Sequence, residues 1–467
     1  MYFSEQPANR RQPGYFRVST LALLAFATLF FSRTLDALGA PSLINFAHFL
    51  FVPLASGLII IESKVRDRKQ ILSAYALLSL LCLFFIVHLV SALANDAGII
   101  NVILNFLLLT EPFIMLLALV SIPLSIKRIK QLKNWVALFA FYNLFLAYFQ
   151  RYVLGTANPD FLYGAFFSVA GATVSAIVSL VFSVYYLISE KTQPLWVRSL
   201  ILVAALWQII ISDTKLVLGS FLIGFILFSF SKINTRTIIY IILSLFLCLF
   251  FFWAMENIEF FNAYAIWIKP ELFTNFDSEF YRAKLMTFSI VPQYYDSFMD
   301  HLFGLGPGHG VGRLGGWMLE KYSHLLTPVG ATHPYPSMRA DIMTAAATES
   351  RNVIGTAMYG PVFSWAGIWS DLGIVGLSSY LLIWIFIWQR YCPHDFSKYI
   401  VAATLTTGLF PGYLEEPSSM LFTTFVIGLW WHEQKSISKA ASSQPPTSTV
   451  LPSRPLSNTQ SGRTSSE

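Results

Sequence analysis

Lys215 stands in Ser212-Asp213-Thr214-Lys215, a short polar joint between two apolar runs. An ammonium held there is placed to bind phosphate; the plainer alternatives are that it snorkels to a headgroup layer or pairs with Asp213. Arg282 lies in Phe280-Tyr281-Arg282-Ala283-Lys284-Leu285-Met286, which reads as a short amphipathic helix capped at Asp277 or Ser278. A guanidinium grips phosphate through two parallel donors, which an ammonium cannot do, although a lone arginine is more simply a surface residue. The run Gly304-Leu305-Gly306-Pro307-Gly308-His309 lets the backbone turn tightly and approach a ligand, or is a plain turn. His301, His309, His324 and His333 gather in one polar stretch, and imidazole transfers protons near neutral pH. His333, framed by Pro334 and Pro336, is the most rigidly held. Arg339, Glu349 and Arg351 complete the polar set.

Some chemistries are missing. There is no Walker loop, no glycine-rich dinucleotide turn after a strand, no His-Glu-x-x-His and no Asp-x-Asp pair for a metal-bound nucleotide sugar. The three cysteines offer neither a disulfide framework nor zinc spacing. Neither metal nor cofactor is therefore expected.

The elements that must position these residues are apolar. Hydrophobic residues make up 55% of the chain and charged residues only 12%, about half the share usual in soluble domains. Such a chain cannot cover its own surface in water, and an all-α polytopic membrane protein is expected. Runs near 18–32, 41–61, 71–94, 98–122, 134–150, 162–188, 196–212, 214–230, 237–254, 371–389, 397–412 and 418–432 predict about twelve transmembrane helices. The division expected is helices 1–9 over 1–254, a large extracytoplasmic loop over 255–370, helices 10–12 over 371–432 and a disordered cytoplasmic tail over 433–467. Basic joints (Lys64 to Lys69, Lys127 to Lys133, Lys191 with Arg198, Lys232 with Arg236, Arg390 with Lys398) alternate with nearly bare ones. The positive-inside rule then puts both termini in the cytoplasm and the large loop outside. The net charge of +6 follows from those joints, so no nucleic-acid partner is expected beside the lipid bilayer. Arg10, Arg11 and Arg17 precede the first run, which reads as an uncleaved first helix. Within the spans, Glu111, His48 and His88 are few and scattered, which suits structural contacts better than an ion pathway.

Several short motifs in order resemble the O-antigen polymerase and O-antigen ligase superfamily of bacterial envelope glycosyltransferases. They are Phe149-Gln150 followed by Tyr163-Gly164-Ala165-Phe166, the turn from Ser212 to Gly219, Arg282 followed by Phe303 to Gly308, and Asp371-Leu372-Gly373-Ile374-Val375-Gly376. The resemblance covers about residues 135 to 390 and implies a GT-C-like fold in the bacterial plasma membrane. It also implies metal-independent, inverting glycosyl transfer from undecaprenyl-pyrophosphate-linked glycans. On it, Arg282, His333 and Glu349 are the expected catalytic residues. Lys215, Arg339, Arg351, Gly304, Gly306, Gly308 and His309 are the expected substrate-binding residues. The family's His-Asn before the acidic position is replaced here by Gly360-Pro361-Val362, which favours a polymerase over a ligase. A polymerase would have a chain-length regulator as partner. The alternative from another class is a lipid or sugar transporter, for which paired broken helices or several midplane charges are expected.

Overall fold

The computed structural model describes residues 18–442 except 64, 66, 169, 231–234, 260, 263, 264, 266–274, 276 and 350–356. Its elements are helical. The chain first runs through α1 (Val18–Ala37), α2 (Ala47–Glu62), α3 (Arg68–Ala94), α4 (Ile99–Val120), α5 (Ile126–Tyr152) and α6 (Gly171–Ser189). It continues through α7 (Leu195–Ile211), α8 (Lys215–Phe230) and α9 (Thr235–Asn257). The polar segment contributes α10 (Glu279–Lys284), α11 (Met286–Ile290), α12 (Phe298–Phe303) and α13 (Met338–Glu349). The last elements are α14 (Ser364–Arg390), α15 (Asp395–Thr407) and α16 (Pro417–Ser442). Among the described residues seven helices are long and apolar enough to cross a membrane: α1, Ser42–Glu62 containing α2, α3, α4, α5, α6 and α14. Leu195–Ile211, Lys215–Phe230 and Ile241–Asn257 are apolar but shorter. The protein is an all-helical, multi-pass membrane protein.

Ion pairs of Lys133 with Glu190 and Glu433 and of Lys435 with Asp67 gather one set of joints at one end of the bundle, and Asn95 and Asn101 meet the polar segment at the other; these are called the basic end and the loop end. α4 is the post at the centre, with 83% of its span buried against 33% for that of α2. It packs against α2, α3 and α16. Beside it an aromatic cluster joins α1, α5 and α16, with Phe26 and Phe425 ring centroids 4.7 Å apart and Phe31 and Phe139 4.9 Å apart. Buried aromatic pairs add to close packing, on which helix association in lipid depends.

At the basic end the chain departs from expectation. The last helix was expected to stop at 432, yet α16 continues to Ser442. Its polar residues find partners there. Glu433 accepts from Tyr185 Oη at 2.7 Å and pairs with Lys133 at 3.0 Å, and Lys435 reaches Asp67 at 2.7 Å and Gln70 Oε1 at 2.6 Å. Arg10, Arg11, Arg17 and residues 443–467 lie outside the described residues.

At the loop end the organising feature is α14, which is broken at Gly373 (φ 64°, ψ −162°). The break lets the end of α12 come down against it. A Cβ on Gly373 would lie 2.4 Å from the Leu302 carbonyl, and one on Gly304 (φ 72°) 2.5 Å from the backbone of Asp371 and Leu372. Only glycine permits both the left-handed backbone and that approach. The chain then wraps the Asp371 carboxylate. Gly308 N donates to Oδ2 at 3.1 Å, Gly310 N to Oδ1 at 2.9 Å, and Asn105 Nδ2 of α4 to Oδ2 at 2.6 Å. Leu305 N and Gly306 N donate to the carbonyls of Ser370 and Asp371. From α3, Ser91 Oγ reaches Phe303 O and Asn95 Nδ2 reaches Gly304 O.

His88 extends this network: its Nε2 is 3.1 Å from Asn105 Oδ1 and its Nδ1 2.8 Å from Phe84 O. Both atoms facing the ring are oxygens.

Asp371→Ala leaves these three donors without an acceptor, at roughly 1–3 kcal/mol each. The variant should melt well below the wild type in detergent, with Asp371→Asn intermediate. Thermal unfolding of the purified proteins checks this order.

A candidate active-site cleft at the loop end

A cavity of about 590 Å³ opens where four parts of the chain meet. These are the segment before α6, the α7–α8 turn, the polar segment and the α15–α16 joint. Each wall is fixed by an identifiable local device.

The segment before α6 is tied down by a reciprocal amide clasp. Gln150 Nε2 donates to Gly164 O at 3.0 Å while Gly164 N donates to Gln150 Oε1 at 2.9 Å. Asn143 Oδ1 accepts from Ala165 N at 3.0 Å. A Cβ on Gly164 (φ 55°) would lie 2.3 Å from both Asn143 Oδ1 and Ser175 Oγ, so a larger residue cannot take that place. The α7–α8 turn is closed by Asp213 at φ 51°, and its carboxylate lies 2.5 Å from Lys215 Nζ. Ser212 Oγ donates to Gln208 O at 2.7 Å and holds the turn to α7.

On the polar segment, a widened turn over Leu314–Met318 presents Trp317 to the cleft beside Arg313. Such wide turns recur at functional sites. The Arg313 guanidinium lies 5.1 Å from the Trp317 ring and pairs with Glu416 at 2.5 Å. Arg339, on the first turn of α13, donates through Nη1 to Gly316 O at 2.6 Å. Lys284 braces the wall around Phe363: its Nζ donates to Met358 O, Gly360 O and Leu409 O at 3.0, 3.0 and 2.7 Å. Burial pulls that ammonium down to about 7.

Glu415 lines the same cleft and is 3% exposed. Burial pushes its carboxyl up to about 7, while the Arg313 N–H and the charges of Arg313 and Arg339 work in the other direction. A carboxylate balanced near neutral pH beside a cationic surface can take a proton from a hydroxyl while the cations meet negative charge developing opposite it.

The residues singled out in the sequence divide into three groups. Lys215 and Arg339, distant in the chain, are brought to one cleft. Arg282 and Glu349 instead pair with each other at 2.8 Å, with side chains 56% and 34% exposed, and neither is among the cleft-lining residues. Gly304, Gly306 and Gly308 belong to the wrap around Asp371, so their backbone is engaged within the fold. His309 is buried beneath them, with Nδ1 3.0 Å from Leu305 O and Nε2 2.7 Å from Thr332 Oγ1, and burial pushes it down to about 4. His333 is outside the cleft lining too, lowered by burial with Gly315 as its backbone partner. Arg351 lies outside the described residues.

Arg313 and Glu415 were not singled out as site residues. Arg313 was one of many loop cations. Glu415-Glu416 was legible as an acidic pair in a nearly bare joint, and that was the available signal. Within the bundle, His48 and Glu111 form a direct buried pair at 2.8 Å. Among the described residues no cluster of three or more metal-ligating side chains occurs.

Against known proteins, no family model matches the chain and no curated protein matches it significantly.

The cleft should bind a pyrophosphate group. A charge-assisted hydrogen bond contributes about 1.5–3 kcal/mol, so removing two should weaken binding at least tenfold. Methylene diphosphonate titrated by calorimetry into the wild type and the Lys215→Ala/Arg339→Ala variant is the check.

Proposed function

We propose that this protein is a polysaccharide polymerase resembling the O-antigen polymerases. It would join undecaprenyl-pyrophosphate-linked oligosaccharide repeats on the outer face of a bacterial plasma membrane. The observation that carries the reading is the gathering of Lys215, Arg313 and Arg339 with the buried Glu415 in one cleft. In this reading five further helices, α7, α8, α9, α15 and α16, would also cross although α7, α8 and α15 are short, making twelve passes with both termini in the cytoplasm. The cleft then faces the side where lipid-linked glycans are displayed.

The reaction divides among these residues. The acceptor hydroxyl oxygen attacks the anomeric carbon of the donor and passes its proton to the Glu415 carboxylate. The anomeric C–O bond breaks with its electron pair leaving on undecaprenyl pyrophosphate, and the configuration inverts. Charge developing on that leaving group is met by Lys215, Arg313 and Arg339, held in place before the reaction begins. Asp213 and Glu416 keep two of these cations from collapsing onto the site carboxylate. Arg282 and Glu349, an exposed pair outside the lining, have a lesser part in this scheme than in the sequence reading.

Polymerase is favoured over ligase by the segment where the superfamily often carries His-Asn. Gly360-Pro361-Val362 stands there, and the Gly360 carbonyl is a ligand of Lys284 rather than a source of an imidazole. Purified protein in proteoliposomes with lipid-linked repeats should yield chains of two or more repeats. Glu415→Gln should lower the rate 10²-fold or more. The wild-type rate should fall as pH drops through about 7, because the base must be ionised, and the residual rate of the variant should lack that limb. Transfer only to lipid A-core would make the protein a ligase, and no transfer to either acceptor would reject the reading.

A further inference from the structure

At the basic end, far from the cleft, α1 and α5 part to leave a groove of about 290 Å³. Toward the loop end the two helices are clasped by Phe139, whose ring centroid lies 5.9, 5.5 and 4.9 Å from those of Phe26, Phe30 and Phe31. Below that clasp, the small Ser19, Thr20 and Ala27 of α1 line the groove together with Leu132 and Trp135 of α5, and among the described residues the space stays open.

The groove is two-ended. Its shaft is apolar, formed by Leu23, Leu24, Leu132, Trp135 and Phe139, and its mouth carries Arg128, Gln131, Ser19 and Thr20. Arg128 Nη1 donates to Gln131 Oε1 at 2.5 Å, which aligns the guanidinium without neutralising it. Lys127 and Lys130, exposed on the same turn of α5, raise the positive potential around the mouth. Trp135, 41% exposed, is a residue type that favours the level where acyl chains meet headgroups.

We propose that this groove is a binding site for an anionic phospholipid, with its phosphate on Arg128 and one acyl chain lying against Leu23, Leu132 and Phe139. The charge of the mouth selects the occupant: a zwitterionic lipid fills the shaft equally well but brings its own cation to Arg128. Basic pockets between membrane helices on the cytoplasmic side recognise anionic headgroups in this way. Lipid that binds the folded protein raises its thermal stability in proportion to occupancy.

The test uses full-length, delipidated protein with phosphatidylglycerol or phosphatidylcholine of identical chains, read by native mass spectrometry and by melting temperature. Phosphatidylglycerol should bind and stabilise at least tenfold more effectively. Arg128→Gln should remove that preference while keeping the lipid-free melting temperature. Lys127→Gln, a charge change on the same turn outside the groove, should keep it. Ala27→Trp, which fills the shaft, should reduce binding of both lipids. Equal binding of the two lipids by the wild type would overturn the proposal. Equal effects of Arg128→Gln and Lys127→Gln would do so as well, since they would reduce the preference to general surface charge.

Discussion

The loop end is built on the Asp371 carboxylate. Two amides of the glycine turn and the side chain of Asn105 converge on it, and α12 is seated against the broken helix that carries it. A buried carboxylate surrounded by donors attached to separate elements works as a three-way joint, because each donor left without it would be buried and unpaired. The joint acts together with the Asn101–Thr332 hydrogen bonds and the Arg313–Glu416 pair to hold a long polar segment in register over the membrane bundle.

Its effect reaches the cleft through Gly312. A Cβ there would lie 3.0 Å from Asp371 Oδ2 and 3.2 Å from Glu415 Oε2, so the two carboxylates flank this one residue. The two carboxylates have different surroundings. Asp371 is enclosed by fixed amide donors, whereas Glu415 faces the cleft with Arg313 and Arg339 nearby. Arg313 directly follows Gly312, so capture of the glycine turn also delivers a cation and a backbone donor to Glu415. What the sequence suggests is a ligand loop is thus a mounting for the residues next to it.

The all-helical, multi-pass character was legible because apolar length is a property of contiguous residues, although of the twelve spans expected only seven helices among the described residues are long and apolar enough to cross. The clasp between Gln150 and Gly164 was visible as a motif, although its physical content, an amide satisfying both groups of one peptide unit, was not. The site was legible only in part. Lys215 betrayed itself by standing in a joint where a cation is out of place, and Arg339 by its segment. Arg282 looked like a ligand because nothing in its neighbourhood names Glu349, 67 residues away, as its partner. Glu415 was hidden for a similar reason: its environment comes from Arg313 and Arg339, which are distant from it in the chain. The extension of α16 to Ser442 was missed because its first turns beyond 432 are polar, with ion-pair partners in Asp67 and Lys133 rather than apolar length.

The most direct measurement is the position of a bound donor. Electron cryo-microscopy of the protein in nanodiscs with a non-hydrolysable undecaprenyl diphosphonate should show the two phosphorus centres in the cleft. They should lie within hydrogen-bonding reach of Lys215, Arg313 and Arg339, with the sugar-bearing end toward Glu415. A diphosphonate lodged instead beside Arg282 and His333, with the cleft empty, would contradict this account.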